Sequence, residues 1–357
     1  MSNRRSSRLF RPRRKRRAGC VTVFVLFLLA VVLVFAFNAF ANRYVRLDQQ
    51  SVTVLNLPKA YEGYTILHVS DLNAATLGNH QENLMNTLGK EAFDAVVMTG
   101  DMVGTSGKAQ PMLDLIAQLA PKAPVFFVTG DADPSPLLSQ PHGDGEVKAA
   151  YIQQAEALGA TYLEVPLRLE TNEQVLWYCP GEAFTLDLQN AVFALSELEK
   201  TLLSSENPYE AATSAQLRHT QHRKAIMEQT MALMKTIAPT DTVIAVMHQP
   251  PTREELAEIA GNAREQGLPV PALFLAGQYN NGQARLPGLG PIYVPRLADG
   301  PGGYFPGDEG LTGLQITQGV SLHISPGLGA SSYYPIPLRL FNRPAMTLIH
   351  LTQKMTR

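Results

Sequence analysis

The longest apolar stretch runs from Ala18 to Phe37 and is interrupted in its middle part only by Thr22. At 1.5 Å per helical residue, twenty such positions cover about 30 Å, the thickness of a bilayer's hydrocarbon core, so the run predicts one transmembrane helix. From Tyr64 the pattern changes to short apolar runs alternating with amphipathic ones. Thr65 to Ser70, Ala95 to Thr99 and Val125 to Thr129 read as buried strands, with helices at Gln81 to Lys90 and Pro111 to Leu119 between them. Further strands are expected at Val243 to Met247, Leu273 to Ala276, Ser321 to Ser325 and Met346 to Leu351. Between Thr185 and Thr240 two apolar stripes predict a helical pair, one through Leu188, Val192, Leu195, Leu198 and Leu202, the other through Ile226, Leu233, Met234 and Ile237. Pro and Gly crowd Leu286 to Gly313, which reads as irregular loop. The body is therefore α/β, without an internal repeat.

Composition changes this picture in two ways. With 45% hydrophobic and 17% charged residues in a chain of 357, a sizeable core is available and a disordered chain is excluded. The net charge of −1 hides an asymmetry: nine Lys and Arg fall among the first 17 residues without an acid, which leaves 21 basic against 31 acidic residues in the remainder. An acidic body argues against a nucleic-acid surface, which needs clustered basic groups. The basic flank, Arg4 to Arg17, should stay cytoplasmic and place the chain from Asn42 onward outside the membrane. The competing reading is a cleaved signal peptide, because Ala39-Phe40-Ala41 fits a small-x-small cleavage site. Arg4-Arg5 gives only a weak hint of twin-arginine export. Cys20 borders the apolar run and Cys179 stands alone in the body, so no disulfide forms there and Cys179 reads as a packed thiol.

The candidate chemistry lies in the loops that follow the strands, where ligands of α/β sheets bind. These loops read Ser70-Asp71-Leu72-Asn73, Gly100-Asp101-Met102-Val103 and Gly130-Asp131-Ala132-Asp133; a later strand ends at His248, and Gly277-Gln278-Tyr279-Asn280-Asn281-Gly282-Gln283 follows. In that order the series resembles the calcineurin-like metallophosphoesterases, with motifs D-x-H, G-D-x-x-(D/N), G-N-H-(D/E), a lone H after a strand, and G-H-x-H-G-G. The resemblance is closest to a membrane-associated bacterial branch. It extends to the flanks Leu57-Pro58, Ile66 to Asp71, Gly282 to Pro287, Gly327-Leu328-Gly329 and Pro337 to Pro344, covering Val52 to Leu351 with Thr185 to Thr240 as an insertion.

The resemblance implies two sheets packed face to face with helices outside, and a pair of metal ions sharing a bridging carboxylate. Carried over by position, one metal would see Asp71, Asn73, Asp101 and Asn280, and the other Asp101, Asp131, His248 and Gln278. This chain departs from the pattern at most of these positions. Asn73, Gln278 and Asn280 stand where the family has His, Asp131 where it has Asn, and Ala132 where it has the His that assists the leaving group; only Asp71, Asp101 and His248 are unchanged. Oxygen donors suit Mg²⁺, Mn²⁺ or Ca²⁺ better than Zn²⁺. Losing the assisting imidazole removes a group typically worth about 10²- to 10⁴-fold in rate. Three convergent carboxylates, at 71, 101 and 131, would repel one another unless a cation joined them.

Plainer readings stand beside these. The three Asp side chains could cap loops, His248 could be a satisfied core histidine, and Gln278 and Asn280 could be turn residues. His219 and His222 are expected on a solvated helix face among Arg218, Gln221, Arg223 and Lys224, and His68, His80, His142, His323 and His350 have no ligand-like company. The expected organisation is a basic segment at 1–17, an anchor at 18–41, and a metallophosphoesterase-like domain at 42–357 with a helical insertion at 185–240. The leading expectation is a bacterial single-pass membrane protein, impaired in hydrolysis, whose site binds a ligand, such as a phosphorylated lipid or other envelope compound, or an oxygen-preferring cation, and whose inserted helices engage a protein partner or the membrane. The alternative is an active Mg²⁺- or Mn²⁺-dependent phosphoesterase acting on envelope phospholipid or a sugar-nucleotide lipid.

Overall fold

The computed structural model describes residues 15–138, 147–205, 210–265, 268–297 and 300–353; His142 and most of the basic N-terminal segment lie outside them. The apolar run forms a single helix, α1 (Lys15–Ala41), in which Val21–Ala41 is long and apolar enough to cross a membrane. This helix is a unit of its own, and Asn42 onward forms a second.

The second unit is built on two six-stranded sheets. The first comprises β1 (Arg46–Thr53), β2 (Thr65–Val69), β3 (Ala95–Thr99), β4 (Val125–Val128), β5 (Ala160–Tyr162) and β16 (Ala345–Thr352), in spatial order β1-β16-β2-β3-β4-β5. The second comprises β6 (Leu167–Thr171), β7 (Gln174–Pro180), β8 (Thr242–Val246), β9 (Leu273–Ala276), β14 (Gly313–Thr317) and β15 (Val320–Ile324), in order β14-β15-β9-β8-β7-β6. Within each sheet the central strands are parallel, and antiparallel pairing occurs at β16·β2, β6·β7 and β14·β15. Leu286 to Gly313 is not wholly irregular as expected: it contributes to two short antiparallel ribbons, β10 (Arg285–Leu286) with β11 (Gly290–Pro291), and β12 (Tyr293–Val294) with β13 (Gly303–Tyr304).

The layering follows from the two-residue period of the strands. In β2 and β3, Ile66, Ala95 and Val97 face the other sheet, where they meet Tyr178, Ile244, Val246, Leu273 and Leu275. Their alternates Leu67, Val69, Val96 and Met98 face outward, against Leu84 and Leu88 of α2 (Glu82–Leu88), Ile116 and Leu119 of α3 (Gln110–Leu119) and Ile152 of α4 (Ala150–Ala157). On the far side of the second sheet, Phe274 and Ala276 pack with Leu256 and Ala260 of α8 (Arg253–Glu265). The result is helices, sheet, sheet, helices: the α/β character read from the strand and helix pattern, in the two-sheet arrangement that the family resemblance implies.

The stretch after β7 forms a short α5 (Glu182–Thr185), then α6 (Leu188–Leu203) and α7 (Ala211–Met234), with α6 and α7 packed on each other. Because β7 and β8 are parallel neighbours, the chain between them must cross over, and these helices make that crossover. On α7 the buried positions are Ala215, Thr220, Met227, Thr230 and Met234, while Ile226 and Leu233 are only half-buried, so the burying face is rotated from the expected stripe. Met234 and Ile237 close a core with Trp177, Cys179 and Val243.

Candidate functional site

The site stands at the carboxyl ends of the parallel strands of both sheets. Five loops meet there and are knitted by their backbones. Asp71 N donates to Gly100 O at 2.9 Å, Asn73 N to Asp101 O at 2.8 Å, Gly277 N to His248 O at 2.9 Å and Leu328 N to Ser70 O at 3.1 Å. The turns are sharp: Asp71, Asn73, Asp101, Gln278 and Asn280 all have positive φ. Asn and Asp enter this region more readily than other non-glycine residues. Gly100, at φ +86°, admits no side chain, since a Cβ there would lie 2.7 Å from both Gly130 N and His248 Nδ1.

Asp71, Asp101 and His248 are buried, and each brings a ligand atom within 4.8 Å of the others, a group able to hold a metal ion. His248 Nδ1 donates to the Thr99 carbonyl at 2.7 Å, which fixes the tautomer and leaves Nε2 facing the carboxylates. Nε2 lies 3.4 Å from Asp101 Oδ1 and 3.0 Å from Asp131 Oδ1, yet is buried without an aligned hydrogen-bond partner. Asp101 Oδ1 also accepts from Ala132 N at 2.9 Å. Asp131 is the open member, with a side chain 38% exposed. Gln278 Nε2 reaches Asp131 Oδ2 at 3.5 Å and leaves Gln278 Oε1 buried and unpartnered. The donor set of two carboxylates, an imidazole nitrogen and an orphaned amide oxygen fits a divalent cation.

The other expected ligands are arranged differently. Asn280 donates from Nδ2 to Asp71 Oδ1 at 3.2 Å, while its Oδ1 faces Arg339 Nη1 at 3.5 Å. Since a guanidinium only donates, the amide oxygen is turned away from the carboxylates. Asp71 Oδ2 accepts from Ser70 Oγ. Asn73 has a buried Nδ2 without a partner. Arg339 is 4% exposed and also donates to the carbonyls of Asn342, Gly329 and Pro326, at 2.9 to 3.0 Å.

Electrostatics follow from this crowding. Burial raises the Asp71 carboxyl to about 7, against the pull of His248 and with added repulsion from Asp101. Burial works to lower His248, but the Asp101 and Asp131 carboxylates outweigh it and hold the imidazole well above its ordinary value. Burial would raise Asp131, and His248 reverses that, so it lies below the usual carboxylate range.

Two residues without an assigned role in the sequence reading support the site. Asp133 accepts from Val103 N at 2.7 Å, Gly104 N at 2.8 Å, Gly130 N at 3.0 Å and Met102 N at 3.3 Å, tying the loop after β3 to the loop after β4. Its signal was the acidic letter closing the third motif. Arg339 was visible only as part of a flanking match.

The histidine expectations need correction. His222 is not on a solvated face: its Nε2 pairs with Glu164 Oε1 at 2.8 Å, beside the Lys148 to Glu164 contact at 3.2 Å. His219 is exposed. His68 and His323 do have company, each other, with Nδ1 to Nδ1 at 2.8 Å between the sheets. Burial pushes the Cys179 thiol far above its ordinary value, so it is an inert packed thiol.

A cavity of about 470 Å³ adjoins the site. Asp131 and His248 line it together with Leu137, Leu163, Ile226, Met227, Met247 and Arg223.

A family model for the calcineurin-like phosphoesterases matches residues 64–271, more than half of the chain. Among solved structures, the chain is similar to the phosphopantetheinyl hydrolase of Mycobacterium tuberculosis, with 12% identity, a TM-score of 0.35, and coverage of 74% of this chain and 89% of that one. A comparison with curated proteins finds no match. The family implies a divalent metal, and Asp71, Asp101 and His248 are a group that could hold one. The sequence match, which spans β2, β3, β4 and β8 and the loops that carry Asp71, Asp101, Asp131 and His248, places the chain among the calcineurin-like phosphoesterases.

Proposed function

We propose that the chain is a membrane-tethered calcineurin-like phosphoesterase relative. Its altered site binds a hard divalent cation and a phosphorylated ligand, and hydrolyses phosphoesters poorly. The observation that carries this reading is His248 Nε2, oriented by its Nδ1 hydrogen bond and left unpartnered among Asp101, Asp131 and the orphaned Gln278 oxygen. Such a cluster is costly when empty and satisfied when a cation joins it. The oxygen-rich donor set favours Mg²⁺, Mn²⁺ or Ca²⁺ over Zn²⁺. A bound cation would supply charge stabilisation to a phosphoryl oxygen. At position 132, where the family has an imidazole to protonate a leaving group, Ala offers only its backbone N–H, which is spent on Asp101.

The apolar helix α1 serves as an uncleaved anchor in a bacterial cell membrane, with the basic segment in the cytoplasm and the domain outside. The ligand is an envelope phospholipid or other phosphorylated envelope compound. Phe193 and Leu203 on α6, 66% and 55% exposed, favour a protein partner at the helical segment. Reporter fusions after Leu47 should behave as exported, and the intact chain should fractionate with membranes.

The second reading, an active Mg²⁺- or Mn²⁺-dependent phosphoesterase, is favoured by the open flank at Asp131 and the cavity beside it. One experiment separates the two. The full chain in detergent is melted with and without Mn²⁺ and offered an aryl phosphate. A ligand at 100 times its dissociation constant stabilises the fold by about 2.7 kcal/mol. That gain should disappear in Asp101→Asn and persist in His219→Ala, with hydrolysis near background. Robust turnover lost in Asp71→Ala would instead establish the active enzyme, and absence of any cation effect would refute both.

A further inference from the structure

The two halves of the site differ in what their side chains are already doing. In the half formed by Asp101, Asp131, His248 and Gln278, two buried polar atoms make no aligned hydrogen bond, His248 Nε2 and Gln278 Oε1, and both belong to residues beside Asp131. His248 is 6% exposed, and its other nitrogen is fixed on Thr99 O, so Nε2 has one direction available, toward the carboxylates.

In the half formed by Asp71, Asn73, Asp101 and Asn280, the oxygens of Asp71 and Asn280 are committed to neighbouring donors, and the one buried unpartnered atom, Asn73 Nδ2, is a donor that cannot ligate a cation. Asn280 Nδ2 donates to Asp71 Oδ1, Ser70 Oγ donates to Asp71 Oδ2, and Asn280 Oδ1 accepts from Arg339. Rotating the Asn280 amide to offer its oxygen would set Nδ2 against the guanidinium, donor against donor. The backbone also leaves little room there: a Cβ on Gly327 would lie 2.9 Å from Asn280 Oδ1, and Asn342 Nδ2 holds the Asn280 carbonyl at 2.9 Å. Arg339 is fixed by three further backbone carbonyls, so its positive charge cannot withdraw.

We infer that this chain binds one divalent cation, not a pair. The ion is held by Asp101, Asp131, His248 and the Gln278 amide oxygen, and the hydrogen-bonded series Arg339, Asn280, Asp71, Ser70 fills the role of the second ion as a permanent part of the fold. This rests on the cation-binding reading above. It goes beyond that reading by fixing the stoichiometry and the half that is used. A single ion can orient and neutralise a phosphate, but the clamp on both the attacking and leaving oxygens that two ions provide is absent.

The test uses the full chain in detergent micelles, stripped with a chelator and exchanged into metal-free buffer, then titrated with Mn²⁺ by calorimetry and by electron paramagnetic resonance. The expected result is one Mn²⁺ per chain with the six-line spectrum of an isolated ion. Asp131→Ala, which removes the ligand altogether, should weaken binding at least by the ~10-fold that even an outer-sphere partner costs. Asn280→Ala should leave the stoichiometry unchanged and affect affinity much less than Asp131→Ala; if that variant does not fold, Asn73→Ala serves the same comparison. Two ions per chain with a spin-coupled spectrum would overturn the single-ion inference and leave the cation-binding reading standing. One ion weakened by Asn280→Ala but not by Asp131→Ala would put it in the other half, with the same consequence. No binding at all would remove both.

Discussion

Lowering the pH should destabilise this protein through a pair of imidazoles buried between the sheets. His68 on β2 and His323 on β15 meet between the sheets, Nδ1 to Nδ1 at 2.8 Å, with His68 Nε2 on Thr99 Oγ1 at 2.9 Å. One nitrogen must donate and the other accept, so the contact requires at least one neutral ring. Burial lowers His323 from 6.5 to about 4, and burial together with His323 lowers His68 well below its ordinary value. For a histidine lowered in the folded state, the unfolded chain binds the proton first. Stability is therefore intact above pH 6.5 and falls as pH drops toward the folded value. For His323 alone, that difference removes about 2 kcal/mol between pH 7 and pH 5, a large part of a typical net stability of about 5–15 kcal/mol. Asp71 works in the opposite direction: raised from 3.8 to about 7, it takes up a proton in the folded state and strengthens the fold as pH falls. The comparison must therefore be between proteins that share it. The single tryptophan, Trp177, is buried and donates to Asp241 Oδ2 at 2.9 Å, so its fluorescence reports unfolding. Urea unfolding of the full chain in micelles at pH 7 and pH 5 should show the wild type losing at least about 2 kcal/mol more than His68→Leu/His323→Leu, since the double variant removes both lowered imidazoles. Parallel losses in the two proteins would refute the argument, whatever their absolute stabilities.

Gly130→Ala should disturb the site directly, because a Cβ there would lie 2.1 Å from Asp101 Oδ1 and 2.5 Å from Asp101 N. We expect a loss of about 1–3 kcal/mol and of Mn²⁺-induced thermal stabilisation, read by melting curves. Asp133→Ala should cost about 3 kcal/mol or more in chemical unfolding, since four backbone N–H groups lose their shared acceptor. Restoring His at 73, 132, 278 and 280 with Asn at 131 should raise aryl phosphatase activity under a transition metal; unchanged activity in a folded variant would show that the missing imidazoles are not what limits the chemistry.

Legibility in the sequence tracked how local the determining contacts were. Ala95 to Thr99 and Leu273 to Ala276 stand out as strands because each is a short apolar run ending at a polar loop, and the structure places β3 and β9 on those bounds. β1, Arg-Leu-Asp-Gln-Gln-Ser-Val-Thr, carries no such run; it is a strand because β16, some 300 residues later, pairs with it. The α7 stripe was only partly legible for a related reason: Met234 and Ile237 are buried as expected, but Thr220 and Thr230 are buried too, despite their polarity. At the site, motif order was enough to bring Asp71, Asp101 and His248 into one group. The orientation of the Asn280 amide was not legible, because it is set by Arg339, from a loop about 60 residues downstream, together with Asp71.

The left-handed backbone at Asn73 and Asn280, with φ of 48° and 47°, bears on how such a site can change over time. Asn, Asp and His are the side-chain-bearing residues that tolerate this conformation best. An exchange between imidazole and amide at these two positions therefore changes what the pocket holds without asking the loops to refold. A scaffold of this kind can exchange the side chains it presents at these positions along an unchanged backbone path.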